Sequence, residues 1–248
     1  ILTFNEEKNL SDCLASVAGW THSIFLVDSG STDRTLEIAR QFEAQAEFHA
    51  FETHARQWNW GITSLPIQTD WILCLDSDHR IMPELRDELC ELFHNQPETL
   101  RQHDGFYIKR RQVFRGKWIR HGGYYPKYLL KLFRRDKVRS DEQELLDFRF
   151  YVDGPTGKLK HDLIEADIGF WITKHNRFAT LQSQEEWNRQ TTMNTWSAPP
   201  RFFGTPDQRV LWLKSKWYRM PLYVRPFLYF TFRYFFQLGF LDGKQGFI

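Results

Sequence analysis

The sequence predicts an α/β fold, a mostly parallel sheet with helices on both faces, followed by a helical C-terminal segment rich in aromatic and basic residues. Three observations predict it. Short apolar runs (ILTF, SIFLV, AEFHAF, WILCL) alternate with stretches whose apolar residues recur at helical spacing. Such alternation builds parallel βαβ units. WILCL (71–75) is apolar throughout and reads as a strand buried on both faces, as in the interior of a parallel sheet. From Val210 onward, Trp, Tyr and Phe interleave with Lys and Arg.

The elements follow in order. ILTF is a short strand, and Asn5 is placed to cap a helix with Glu6 and Glu7 in its first turn and Leu10, Cys13, Leu14 and Val17 on its inner face. SIFLV (23–27) is a second strand ending at Asp28. SGSTD then turns, with Ser31 or Thr32 capping a helix through Leu36, Ala39 and Phe42. AEFHAF gives a third strand, RQWNWGITSL a short helix and WILCL the fourth strand. PELRDELCELF is the next helix, with Pro83 in its first turn. After about residue 100 the strands lengthen: GFYIKRRQVFRGKWIR and YLLKLFRR, joined by the Gly-rich turn HGGYYP. SDEQELLDFRFYVDGPTGKL is acidic and then turn-like, and FATLQSQEEWNRQTTM is helical.

At 248 residues and 42% hydrophobic, the chain can bury a full core. A net charge of +2 does not suggest a nucleic-acid binder. Cys13, Cys74 and Cys90 sit in apolar patterns without metal-type spacing and read as small core residues in a reducing compartment. No signal peptide is visible, and no uncharged apolar run approaches the ~20 residues of a spanning helix. ILTFN starts as if inside a strand and QGFI stops on apolar residues, so both ends read as trimmed from a longer protein.

A parallel sheet binds ligands at the carboxyl ends of its strands. Asn5, Asp28 and the pair Asp76/Asp78 all fall at such ends. Two carboxylates at i and i+2 repel each other unless a cation lies between them. A helix cap would explain one of them only. The nucleophile motif of haloacid-dehalogenase phosphatases is also a D-x-D after a strand. That motif sits on the first strand with Thr or Val two residues on, whereas here Arg80 fills that position and three strands precede it. The third reading is a metal–diphosphate site, in which the carboxylates hold a hard cation against a leaving nucleotide.

ILTFNEEKNL, VDSGSTDRT and LDSD, in that order and spacing, resemble family 2 glycosyltransferases of the GT-A fold, a Rossmann-like arrangement. HARQWNWGITSLPIQTDWILCLDSD, HGGYYPKYLLKLFRR and VDGPTGKLKHD extend the resemblance, over most of residues 1–180, to the branch of lipopolysaccharide core β-1,4-glucosyltransferases (WaaE-like). The resemblance implies a nucleotide-sugar half at 1–100 and an acceptor half at 101–195, while the composition of 196–248 reads as an amphipathic, membrane-associating segment. It implies that Thr3, Asn5 and Glu6 line a nucleotide pocket. Asp28, with Ser29 beside it, would receive the N3–H of uracil, as an acceptor-only carboxylate does well. Asp76 would approach the ribose and metal with Ser77 alongside, and Asp78 would ligate Mn²⁺ or Mg²⁺ directly. Gln57 and Asn59 fall in an element near the nucleotide, where Trp58 replaces a basic residue and Arg56 is its possible substitute. Inverting transfer needs a base for the acceptor hydroxyl. In the acidic cluster DEQELLD (141–147), Asp147 matches best, and a slip in register offers Glu144 instead; the bland alternative is a solvated acidic turn. Asp153 reads as a turn residue. His121 could contact donor phosphate or acceptor, and His79 could ligate the cation or support its ligands.

VLWLKSKWYRMPLYVRPFLYFTFRYFFQLGF carries Lys214, Lys216, Arg219, Arg225 and Arg233 and no acid. Rings with cationic neighbours suit an anionic membrane surface, although a helical pair packed on the catalytic domain is an equally physical reading. The sequence-based expectation is therefore a transferase moving a sugar from a UDP-sugar to a glycan or lipid-linked saccharide. It would act in the cytoplasm, peripheral to the inner face of the cytoplasmic membrane, without nucleic acid as a partner. Transfer to polyprenyl phosphate and a D-x-D phosphatase are the alternatives.

Overall fold

The computed structural model of the chain describes residues 1–142, 148–165, 179–180, 183–184, 186–187 and 198–247. Its first half alternates strictly: β1 (Leu2–Thr3), α1 (Leu10–Val17), β2 (Phe25–Asp28), α2 (Thr35–Gln41), β3 (Gln45–Phe48), α3 (His54–Ser64) and β4 (Trp71–Leu73). Then come β5 (His79–Ile81), α4 (Pro83–Asn95), α5 (Pro97–Gln102), β6 (Gly105–Phe114), β7 (Lys117–Trp118) and β8 (Lys127–Arg134). A small ribbon of β9 (Val138–Ser140) and β10 (Phe150–Val152) precedes β11 (Thr156–Glu165). The C-terminal segment holds α6 (Pro206–Trp217), α7 (Arg225–Thr231), a π-helical turn (Phe232–Phe236), a 3-10 turn (Gly239–Asp242) and α8 (Lys244–Phe247).

Strands β1, β2 and β3 pair in parallel in that order. A second sheet runs β4-β8-β6-β11-β5, and an isolated parallel bridge from Leu2 to Asp76, three residues past the end of β4, joins the two. The predicted parallel sheet is thus the part from β3 to β4. Beyond it β8 and β5 run antiparallel to their neighbours, while β6 and β11 are parallel.

Successive side chains of a strand point to opposite faces, so each strand feeds two cores. Leu75, Phe106 and Ile108 pack with Cys13 and Val17 of α1 and Leu85, Leu89 and Leu92 of α4. Cys74 and Tyr107 face the other way, onto Trp58 and Ile62 of α3. Helices therefore cover both faces, as predicted. Each fully buried Leu or Ile of these layers contributes about 1.5–3 kcal/mol, enough to set the orientation of every strand end.

Three local expectations are corrected. Helix α1 begins at Leu10 with Asn9 at its N-cap, not at Asn5, because Asn5 takes a left-handed turn (φ 54°) instead. Neither Ser31 nor Thr32 caps α2; the Asp33 carboxylate accepts the Thr35 N–H at 2.9 Å. A strand, β5, intervenes between the Asp76/Asp78 turn and α4, pairing antiparallel with β11. Of the predicted helix over FATLQSQEEWNRQTTM, the described residues 179–180, 183–184 and 186–187 are helical.

Candidate active site

The carboxyl ends of β1, β2 and β4 share one edge, where two loops are zipped together. The Asn5 N–H donates to Ser31 Oγ at 2.9 Å, and the Thr32 N–H donates to Asn5 Oδ1 at 2.9 Å. The Glu6 N–H donates to Thr35 Oγ1 at 2.8 Å. Beneath them Asp28 is buried and accepts from the Gly30 and Ser31 N–H groups at 2.8 Å each, from Ser31 Oγ at 2.5 Å and from Thr3 Oγ1 at 3.2 Å. A carboxylate offers about four acceptor sites. Four donors from its own neighbourhood fill them, and Gly30 at φ 95° lets the loop wrap that closely. The Asp28 carboxylate thus shapes the loop at this strand end.

Ser29 projects from the same strand end and accepts from Gln57 Nε2 at 3.0 Å. Gln57 is only 1% exposed. Its amide also reaches the His49 carbonyl at 2.9 Å and His49 Nδ1 at 2.6 Å. Gln57 thus supports Ser29 from below and is not itself open to a ligand. Asn59 turns instead to the acidic segment, donating to Glu142 Oε1 at 3.1 Å and accepting from Ser140 Oγ at 2.7 Å. Arg56 pairs with Glu52 and, at 3.3 Å, with Glu142. The start of DEQELLD is thereby held against α3. Both base candidates, Asp147 and Glu144, lie outside the described residues. Asp153 is 84% exposed and pairs with Arg139 at 3.3 Å, a turn residue as expected.

The Asp76–His79 stretch is a tight turn closed by the His79 N–H to the Asp76 carbonyl at 2.9 Å. It brings ligand atoms of Asp76, Asp78 and His79 within 4.8 Å of one another, the group of this kind found among the described residues. Ser77 between them is buried. Neither carboxylate caps α4, whose N-cap is Met82 without a side-chain hydrogen bond, so the capping alternative fails. Asp76 Oδ2 lies 2.9 Å from Lys131 Nζ and 3.4 Å from His79 Nε2. Burial works to raise the pKa of Asp76, but the Lys131 ammonium and then His79 outweigh it and hold the carboxyl well below the usual range. The Asp76 side chain stays 37% exposed, so this carboxylate also faces outward.

His79 is 2% exposed, and burial pushes its pKa down to about 4 against the opposing pull of Asp76. The imidazole is neutral at pH 7. Its Nδ1 accepts the Asp76 N–H at 3.2 Å, which leaves the ring proton on Nε2, facing Asp76 and Asp78. His79 therefore supports the carboxylates as a donor and does not add a lone pair. Two carboxylates at a partly open strand end are an oxygen donor set that suits a hard divalent cation.

His121 is taken up by a carboxylate of the C-terminal segment. Its Nδ1 sits 3.0 Å from Asp242 Oδ1, and its N–H donates to Asp242 Oδ2 at 2.8 Å. Arg233 donates to the Gly122 carbonyl and lies 3.9 Å from the centre of the Tyr124 ring. Gly122 and Gly123, at φ 63° and 73°, make room for this docking: a Cβ on Gly123 would meet Gln237 at 2.3 Å. The sequence reading missed Lys131, Asp207 and Asp242. Lys131 had a signal, since a lysine in the middle of the apolar run YLLKLF needs a buried partner. A cavity of about 620 Å³ opens elsewhere, beside Ile1, Ser23, Ile24, Trp71 and Phe93, and none of Asp76, Asp78 and His79 lines it.

This chain belongs to glycosyl transferase family 2, whose family model matches residues 1–151. An uncharacterized glycosyltransferase of Rickettsia typhi is 31% identical over 118 residues, 47% of this chain and 38% of its own length. The chain thus spans well under half of that relative. The lipopolysaccharide core biosynthesis glycosyltransferase LpsC of Rhizobium meliloti is 26% identical over 201 residues, covering 75% of this chain and 70% of that protein. Among solved structures, mannosyl-3-phosphoglycerate synthase from Rubrobacter xylanophilus superposes with a TM-score of 0.50 at 12% identity, over 82% of this chain and 78% of that one. The fold is the GT-A arrangement expected from the motifs, and membership of this family sets the phosphatase alternative aside.

Proposed function

We propose that the chain is an inverting glycosyltransferase that moves a sugar from a nucleotide diphosphate, UDP-linked, to a saccharide or lipid-linked glycan in cell-envelope polysaccharide or lipopolysaccharide synthesis. One observation carries the reading: Asp76 and Asp78 converge at the carboxyl edge of a parallel sheet, in the position where such sheets meet nucleotides. The relation to LpsC, named for lipopolysaccharide core biosynthesis, supports the class of acceptor. Asp76 and Asp78 would hold Mn²⁺ or Mg²⁺, which when bound supplies positive charge to the leaving diphosphate. The zipped loops at Asn5–Thr32 and Asp28–Ser31 supply rigid walls for the nucleotide, with the Ser29 hydroxyl at the strand end. Asp147, or Glu144 three residues earlier, is the proposed base. Glu142, held by Arg56 and Asn59, tethers that segment to α3.

The second part of the proposal concerns place. Among the described residues no helix is long and apolar enough to cross a membrane. The C-terminal segment nevertheless presents Tyr223, Phe227 and Phe236, each at least three-quarters exposed. We assign these rings to the inner face of the cytoplasmic membrane, beside the docked His121–Tyr124 loop. Polyprenyl phosphate remains the alternative acceptor of the same fold.

The test is a screen of nucleotide sugars for Mn²⁺-dependent hydrolysis and transfer, with Asp78→Asn as the control. The variant should lose at least 10²-fold in rate, the several kcal/mol that such a cation contributes, while its melting temperature in EDTA stays equal or rises as anionic repulsion is relieved. Full activity of Asp78→Asn in EDTA would refute the metal–diphosphate reading, and phosphate release from simple phosphomonoesters would revive the phosphatase.

A further inference from the structure

Lys131 lies in the middle of a buried strand and is 5% exposed. Lysine is almost never buried without a partner, so the strand must have a reason to carry it. The pairing of β6 with β8 shows how it is aimed. Phe106 pairs with Leu132 and Tyr107 with Leu130, so the register skips Lys131, which is the extra residue of a bulge. Bulges re-aim single side chains and recur next to active sites. This one turns an ammonium to within 2.9 Å of Asp76 Oδ2, with the Trp58 ring centre 5.9 Å away.

The charges at the turn then add up simply. Asp76 and Asp78 bring two negative charges, the His79 ring aims Nε2 at both carboxylates, and Lys131 brings one positive charge. One oxygen of Asp76 is also occupied by the ammonium. A divalent cation at the outward oxygens would therefore meet half of the expected negative charge, with a fixed positive group behind it.

We propose that Lys131 is a resident counter-ion of the Asp76–Asp78 site, which keeps the site from holding a bare divalent cation and makes it take the cation together with a nucleoside diphosphate. The proposal rests on the reading of Asp76 and Asp78 as the ligands of that cation. Lys131 is a positioning residue in this scheme: it acts on the cation through Asp76. The diphosphate supplies the negative charge that Lys131 cancels, so cation and nucleotide bind as one unit and neither dominates alone. The reciprocal consequence is that the nucleotide tightens the cation by the same factor as the cation tightens the nucleotide.

Direct Mn²⁺ binding, followed by the loss of the free-ion EPR signal, tests this without any turnover. Wild type, Lys131→Met and Lys131→Arg are titrated with Mn²⁺ alone and with Mn²⁺ plus UDP. Wild type should bind Mn²⁺ weakly alone and at least tenfold more tightly with UDP. Lys131→Met should bind Mn²⁺ alone at least tenfold more tightly than wild type, since even at the dielectric of bulk water a divalent ion and an ammonium about 5 Å apart repel by that factor. Its UDP effect should shrink accordingly, and Lys131→Arg should behave as wild type. A merely structural lysine predicts the opposite sign, because its loss would loosen Asp76 and weaken Mn²⁺ binding. Lys131→Gln serves if the Met variant does not melt cooperatively in EDTA. Unchanged or weaker binding of Mn²⁺ alone by the charge-removing variant overturns the proposal, as does a wild type that holds Mn²⁺ equally well without UDP. If Asp78→Asn abolishes Mn²⁺–UDP binding while Lys131→Met changes nothing, only the role of Lys131 falls. If Asp78→Asn changes nothing either, the ligand reading falls with it.

Discussion

The first hundred residues and the C-terminal segment use polarity in opposite ways. In α1 the inward positions are Leu10, Cys13, Leu14 and Val17, all 3% exposed or less, and the polar residues face out. In the described part of the C-terminal segment Leu211 is the buried apolar side chain, while Asp207, Arg225 and Asp242 are buried at 3%, 7% and 3%. Its rings face outward instead, Tyr223 at 81%, Phe227 at 75% and Phe236 at 76%. The first region is held by apolar burial and presents polar loops at the sheet edge. The second is held by charges and presents an apolar surface. An exposed apolar surface of this kind suits an apolar partner.

This inversion changes what the basic residues are for. Arg225 pairs with Glu186 at 2.6 Å and donates to the carbonyls of Met220 and Tyr218. Arg233 clamps the Gly122 carbonyl and also donates to the Tyr229 hydroxyl. Two of the five cations offered by the sequence to anionic headgroups are thus internal clamps.

The largest expected break in the comparison is at Asp207. It accepts from Arg149 at 2.5 Å and from the Tyr107 hydroxyl at 2.6 Å, all three groups being buried. Asp207→Ala breaks this buried charge pair and takes the acceptor from the buried Tyr107 hydroxyl, which costs about 3–5 kcal/mol. Denaturant unfolding should show that loss. A cost below about 1 kcal/mol would mean that the segment is not held by charge.

Leu14→Ala is the matching probe of the first region. Removing a fully buried leucine costs about 2–5 kcal/mol through lost transfer energy and a residual cavity. Phe236→Ala, at an exposed ring, should stay within about 0.5 kcal/mol of wild type. If the two substitutions cost the same, the segment hides its rings against something in the chain and the contrast collapses.

Why the first region was legible and the second was not follows from range. Helical spacing and strand alternation are local signals, so the order of strands and helices through β4 could be read from residues a few positions apart. The loop at Asp28 was placed at the right strand end, but the four donors that occupy it come partly from Thr3, across 25 residues. Lys131 meets Asp76 across 55 positions, Asp207 meets Tyr107 across 100, and Asp242 meets His121 across 121. Pairing over such separations leaves no periodic trace. The short β5 escaped because three residues, HRI, carry no alternation to read.

A smaller effect concerns the outer rings. Replacing Tyr223, Phe227 and Phe236 together with Ser should leave the melting curve unchanged and lower cosedimentation with anionic vesicles several-fold, as apolar area that enters the interface is lost. Hydrolysis of the donor should not change. Equal sedimentation of the two proteins would move the apolar partner from a lipid surface to another protein.

The smallest expected effect lies in the thiols, and it sharpens the comparison from the side of the first region. Cys13 and Cys74 are 0% and 1% exposed, and burial pushes both thiols up to about 12, while Cys90 on α4 is half-buried. The thiolate is the reactive form, so at pH 8 both buried sulfurs are inert for two reasons, access and protonation. Iodoacetamide should add once per folded chain, at Cys90, as peptide mapping would show. The sign of the pH effect follows from the same shifts. Above the ordinary thiol value of 9.0 the unfolded chain loses protons that the folded chain keeps up to about 12. Stability must therefore fall as pH rises through that window, by at most about 1.4 kcal/mol per unit for each thiol. Cys74→Ala should flatten part of that alkaline slope. Labelling of Cys13 or Cys74 at the rate of Cys90, without denaturant, would show that the apolar interior of the first region opens as readily as a surface helix, and the contrast between the two regions would then be one of sequence only.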